Sequence, residues 1–118
     1  MHLNEVNFTD SVPVEGYGPG FFRIGGAVHH GAILTSATGT TAWNGYEDAA
    51  PLIALADQID VLFIGTGSEI AHIPGALRRA LEDAGLGVEV MSSPAAARTY
   101  NVLLGEARRI ALAMLPVA

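Results

Sequence analysis

The stretch Val61-Leu62-Phe63-Ile64-Gly65-Thr66-Gly67 carries the reading of this 118-residue chain. Its four consecutive large apolar residues, β-branched and aromatic ones among them, predict a strand buried on both faces. Gly65-Thr66-Gly67 then turns the chain and Ser68–His72 reads as loop. Pro74 opens a helix running to Ala84, with Ile73, Leu77, Ala80, Leu81 and Ala84 on its inner face. Gly85 ends that helix, and Gly87 leads into a second strand, Val88–Met91. Strand, helix and strand within about 30 residues predict a βαβ unit, its strands parallel and its crossover right-handed.

Before this unit the chain reads as β. Residues 1–11 form a polar, loosely held lead-in. Val12 and Val14 begin an edge strand, and Gly16-Tyr17-Gly18-Pro19-Gly20 reads as a turn. Phe21–Ile24 follows as a strand with Arg23 toward solvent, closed by Gly25-Gly26. Val28–Thr35 and Thr40–Trp43 are two more strands around a turn at Thr38-Gly39. Strands spaced about ten residues apart predict an antiparallel meander. Asp48 is placed to cap a short helix near Ala49–Asp57, whose first turn tolerates Pro51.

After it, Ser93 as N-cap and Pro94 at the first helical position announce another helix. Tyr100, Leu103, Leu104, Ala107, Ile110, Ala111, Met114 and Leu115 repeat at spacings of three and four, which predicts about 21 helical residues ending at Pro116. This long helix should close the core, with Leu104 buried as Leu81 is. The expectation is an α/β fold in a single domain spanning residues 1–118.

Composition narrows the chemistry. Hydrophobic residues make up 50% of the chain and there is no cysteine, so disulfides, thiolate metal sites and cysteine nucleophiles are excluded. There is no lysine, which removes Schiff-base chemistry and a phosphate-loop lysine. Residues 1–69 hold eight acids and one arginine (−7), and residues 70–118 hold four acids and five arginines (+1). An acidic first half without a basic cluster argues against nucleic acid as partner. No apolar run is long enough to span a membrane, and the N-terminus reads as neither signal nor transit peptide.

Gly65-x-Gly67-x-x-Ile70 departs from the dinucleotide fingerprint at its third glycine, so a structural turn competes with anion binding there. Glu69 and His72 are half of a carboxylate-bridged metal site without the other half, and the adjacent His29 and His30 face opposite ways in a strand; no metal is expected. Ser68 lies near His72 but lacks the Gly-x-Ser-x-Gly elbow of a nucleophile. The last helix carries a polar set, Arg98, Asn101, Gly105 and Arg108 at spacings of three and four beside Thr99, Tyr100 and Glu106. It reads either as a solvated face or as an interaction patch anchored by arginine and tyrosine.

Ile59–Gly67 followed by Gly87–Met91 resembles the small domain family that includes mitochondrial respiratory complex I assembly factor 3. Ser93–Leu103 with Glu106-Ala107-Arg108, and Gly16–Gly25 with Trp43-Asn44, are similar as well, so the likeness runs from about Val12 to Pro116. Relatives often carry glycine where Ala107 stands and threonine where Ser93 stands. The resemblance implies a three-layer β/β/α fold, chaperone-like action by protein contact rather than catalysis, and a link to membrane-protein biogenesis. It supplies no catalytic residue and no cofactor.

The resulting expectation is a non-enzymatic, cytoplasmic assembly factor whose partners are other proteins, with self-association left open. Its contact surface would combine Gly65, Thr66 and Gly67 with Arg98, Thr99, Tyr100, Asn101, Glu106 and Arg108. The alternative is a small-anion or nucleotide-binding domain using Gly65, Thr66, Gly67 and Ser68, whose backbone N–H groups could hold an anion without lysine.

Overall fold

In a computed structural model that describes residues 12–118, Val61–Gly65 is an inner strand of a mixed five-stranded sheet. The expected lead-in at residues 1–11 lies outside the described residues. In chain order the elements are β1 (Val14–Gly18), β2 (Phe21–Ile24), β3 (Ala27–His30), β4 (Ile33–Ser36), β5 (Gly39–Ala42), α1 (Ala50–Ile53), β6 (Val61–Gly65), α2 (Gly75–Asp83), β7 (Gly87–Met91), α3 (Ser93–Leu104) and β8 (Ile110–Met114). The large sheet has the order β5-β4-β8-β6-β7, and β1-β2-β3 form a separate antiparallel sheet.

β6 pairs in parallel with both neighbours, Phe63 lying opposite Glu89 of β7 and Leu112 of β8. The β6-α2-β7 unit is therefore present with adjacent parallel strands. The alternation of β6 divides the core in two. Leu62 and Ile64 join Leu34, Ala111 and Ala113 under Leu52, Leu55, Leu77 and Leu81 from the α1–α2 side. Phe63 joins Ile33, Leu112 and Met114 under Ala96, Ala97 and Tyr100 of α3 and Val14, Phe22 and Ile24 of the small sheet. The layers are thus small sheet, large sheet and helices, with α3 on the small sheet's side. Leu62, Ile64, Leu81 and Leu112 are fully buried, each contributing roughly 1.5–3 kcal/mol by leaving water.

Several expectations need correction. The largest concerns the C-terminal helix. α3 ends at Leu104, and Ile110–Met114 is instead a strand with all five residues buried. It pairs antiparallel with β4 and parallel with β6, at the middle of the sheet. A strand covered on both faces needs apolar side chains on both, which Ile110-Ala111-Leu112-Ala113-Met114 supplies and a one-sided helix does not. With the chain turning at 105–107, Leu104 is only partly buried, while Leu81 is buried as expected. The helix cap also shifts by one residue: Ser92, not Ser93, is the N-cap and its Oγ accepts from Ala95 N at 3.4 Å.

In the N-terminal part, β1 runs on to Gly18, so the turn shrinks to Pro19-Gly20; Tyr17 lies opposite Phe22. The single strand expected over Val28–Thr35 breaks at Gly31 (φ 82°), and its halves enter different sheets. The meander is accordingly three strands long. The short helix is only Ala50–Ile53, and Asp48 does not cap it; its carboxylate accepts from Asn44 Nδ2 at 3.3 Å and its carbonyl from Trp43 Nε1 at 3.0 Å. α2 agrees within a residue, followed by Gly85 at φ 94°.

Candidate functional site

The glycine turn after β6 is closed by groups from three other segments. Ser93, at the start of α3, is fully buried. Its Oγ donates to Leu115 O at 2.7 Å and accepts from Gly67 N at 2.9 Å, while its own N–H donates to Gly67 O at 2.7 Å. Gly65 O accepts from Leu115 N at 2.9 Å. One hydroxyl thus joins the end of β6, the start of α3 and the exit of β8. The approach requires the absence of a side chain at Gly65, where a Cβ would lie 2.8 Å from Ser93 Cα.

Thr66 organises the loop that follows. Its N–H donates to Met91 O at 2.9 Å, and its hydroxyl donates to Glu69 O at 2.7 Å while accepting from Ala71 N at 3.1 Å. Ser68 Oγ accepts from Ala118 N at 2.9 Å. The N–H groups of Thr66 and Gly67, which an anion would have to use, already have partners, and Gly65 and Gly67 are buried. A cleft of about 300 Å³ does open beside the turn, between Tyr17, Pro19, Ser68, Pro94 and Val117. Its walls are mainly carbon, which suits an anion poorly.

The polar set on α3 separates into different roles. Arg98 is exposed. Thr99 Oγ1 points to Met91 Sδ at 3.5 Å, on the β7 side. Asn101 faces the other way: its Nδ2 donates to Val14 O and its Oδ1 accepts from Val14 N, both at 2.9 Å. The carboxamide therefore completes the edge of β1 as a neighbouring strand would and fastens the small sheet to α3. Tyr100 is fully buried and cannot belong to a contact surface, contrary to the expectation. Burial pushes its pKa up to about 12, with the neighbouring Thr35 hydroxyl acting in the opposite direction. Tyr46 is also raised by burial.

Glu106 and Arg108 are exposed in the turn after α3. The glycine turn meets the first residue of this 12-residue helix, whereas Arg108 lies beyond its last, roughly 18 Å along the axis. The expected nine-residue surface is thus not continuous. What α3 presents to solvent is Arg98 and, four residues on, Val102, which is 63% exposed. In sequence Val102 looks like another apolar residue of the helix; its place one turn after Arg98 is the signal that it faces solvent. His29, His30 and His72 do not gather: no three metal-ligating side chains come together among the described residues.

The chain is 50% identical to an uncharacterized protein of Rhodobacter capsulatus over 99% of its own length and 94% of that protein's. It is 30% identical to NADH dehydrogenase (ubiquinone) 1 alpha subcomplex assembly factor 3 of Danio rerio, over 85% of the chain and 62% of that protein, and so spans under two thirds of this relative's length. Among solved structures, an outer membrane protein from Bartonella henselae superposes with a TM-score of 0.84 at 36% identity, covering 95% of this chain and all of that one. A family profile matches residues 14–115, from the first residue of β1 to the end of the large sheet. On that match the chain belongs to the family of proteins of unknown function designated DUF498/DUF598.

Proposed function

We propose that the chain is a non-enzymatic assembly factor of the cytoplasm that works by binding other proteins, through the outer edge of α3 and the turn beyond it. The observation that carries this reading is the 30% identity to a complex I assembly factor, extending over 85% of the chain. The surface follows from what α3 leaves in water. Arg98, Val102, Glu106 and Arg108 combine an exposed aliphatic side chain with a charged surround, and arginine is among the residues that interfaces favour. Among the described residues no helix is long and apolar enough to cross a membrane.

The test is affinity purification from the native host with three baits: wild type, Arg98→Glu/Arg108→Glu and Val102→Asp. Wild type is expected to recover a defined set of proteins that includes subunits of a respiratory NADH dehydrogenase, and both variants to lose them. Identical recovery by all three baits would rule out the α3 surface. A wild-type bait that recovers no such subunit, even after cross-linking, would overturn the assembly reading itself.

A further inference from the structure

Among the described residues the large sheet ends at β7, and no strand of them pairs with its outer side. Gly87 N donates to Asp60 O at 3.0 Å and Met91 O accepts from Thr66 N at 2.9 Å. In a parallel ladder the residues bonded to the neighbour alternate, so Gly87, Glu89 and Met91 address β6. The N–H and C=O groups of Val88 and Val90 therefore point outward, and no described residue pairs with them. Beside this edge lies a groove of about 270 Å³ lined by Ile70, Ala71, His72, Ile73, Arg78 and Val90. Ile70 is 68% exposed there, the largest exposure of any bulky apolar residue described. Arg78 is already paired with Glu82 at 3.4 Å.

Glu89, exposed on the opposite face of β7, decides what this edge can accept. An acidic residue on an edge strand commonly guards it against pairing. Here it also selects. A second copy in the fully overlapped antiparallel register would set Glu89 directly against its own counterpart, a like-charge pair that destabilises a sheet. A strand carrying a basic residue opposite Glu89 gains a favourable pair there. Apolar residues on either side of that base would point to the Val88–Val90 face and its groove.

We infer that β7 accepts an extended segment of a different protein as a sixth strand, with the pattern apolar–basic–apolar centred on Glu89. Main-chain hydrogen bonds at Val88 and Val90 hold the segment, and the alternate side chains give the choice of partner. This surface is separate from the outer edge of α3 and stands whether or not that edge binds anything.

The probe is a fluorescein-labelled peptide centred on Val-Arg-Val, with a Val-Glu-Val peptide as its counterpart, titrated by fluorescence polarisation. Val88→Pro removes an outward N–H but no bond to β6, a position where an edge strand tolerates proline. It should weaken the Val-Arg-Val peptide about tenfold or more. Glu89→Arg keeps the backbone edge and should exchange the preference of the two peptides, which tests the idea even if Val88→Pro fails to fold. No polarisation change with wild type, equal binding by wild type and folded Val88→Pro, or indifference to the peptide's charge would each overturn the inference. So would self-association of wild type in sedimentation that Val88→Pro abolishes, because the occupant would then be a second copy.

Discussion

Gly65→Ala tests the junction on which the fold closes. Gly65 lies between Met91 of β7 and Met114 of β8, on the face covered by α3. An added Cβ would sit 2.7 Å from Ser93 Oγ, 2.8 Å from Ser93 Cα and 2.9 Å from Met114 Cγ. Carbon atoms rest at roughly 3.5–4.0 Å, so the start of α3 must retreat by roughly 0.7 Å or more. Met114 can yield by rotating. The helix backbone cannot yield without stretching the Ser93 N to Gly67 O bond, 2.7 Å, and the two bonds of the Ser93 hydroxyl. Overpacking costs about 1–3 kcal/mol, and weakening one buried hydrogen bond adds about 1 kcal/mol. The expected loss is about 2–4 kcal/mol. Gly16→Ala is the matched control, since Gly16 also lies in a strand, has no left-handed φ and would carry a Cβ with nothing within 4 Å. It should stay within about 0.5 kcal/mol of wild type. Urea unfolding of the three proteins decides the matter. If Gly65→Ala and Gly16→Ala unfold at the same midpoint, the close fit of β6, α3 and β8 is refuted.

Ala107 holds φ 55° in the turn between α3 and β8, the one non-glycine residue described with a left-handed backbone. Ala107→Gly relieves that strain against a gain in unfolded-chain entropy and should stabilise by about 0.5–1 kcal/mol, seen as a raised urea midpoint. An unchanged or lowered midpoint would count against the turn geometry. Tyr100 supplies a pH test. Its folded pKa of about 12 lies above the ordinary value of 10.0, so its contribution is whole below pH 10 and is lost as pH rises to about 12, because the unfolded chain ionises first. Unfolding free energy should fall over that interval by on the order of 2–3 kcal/mol more in wild type than in Tyr100→Phe. Parallel curves for the two proteins would mean the phenol is not held away from water.

The parallel unit was readable because its signals are local and agree: an apolar run, a proline at a helix start and a glycine after its end. β8 reads as helix in sequence because Ala111 and Ala113 favour helix, and Tyr100, Leu103, Leu104, Ile110 and Ala111 happen to fall at helical spacings across the break. The contrary signal was present. Gly105 interrupts the pattern, and Ile110–Met114 is apolar at every position, as Val61–Ile64 is. Choosing between the two readings depends on whether β4 and β6 leave a vacant place between them, a fact of long-range pairing that no local window contains.

The polar residues of α3 obey the same limit. Asn101 and Tyr100 resemble interface residues in sequence, yet one binds the backbone of Val14, 87 positions away, and the other is sealed beneath the small sheet. Both hold layers together. Docking the small sheet covers Tyr100, occupies the Asn101 carboxamide and leaves Arg98 and Val102 exposed, so what α3 shows to solvent is set by residues that precede it by some 80 positions. Weakening that dock through Asn101 would alter the α3 surface without touching it, which makes Arg98 and Val102, rather than Asn101, the positions at which binding and folding can be told apart.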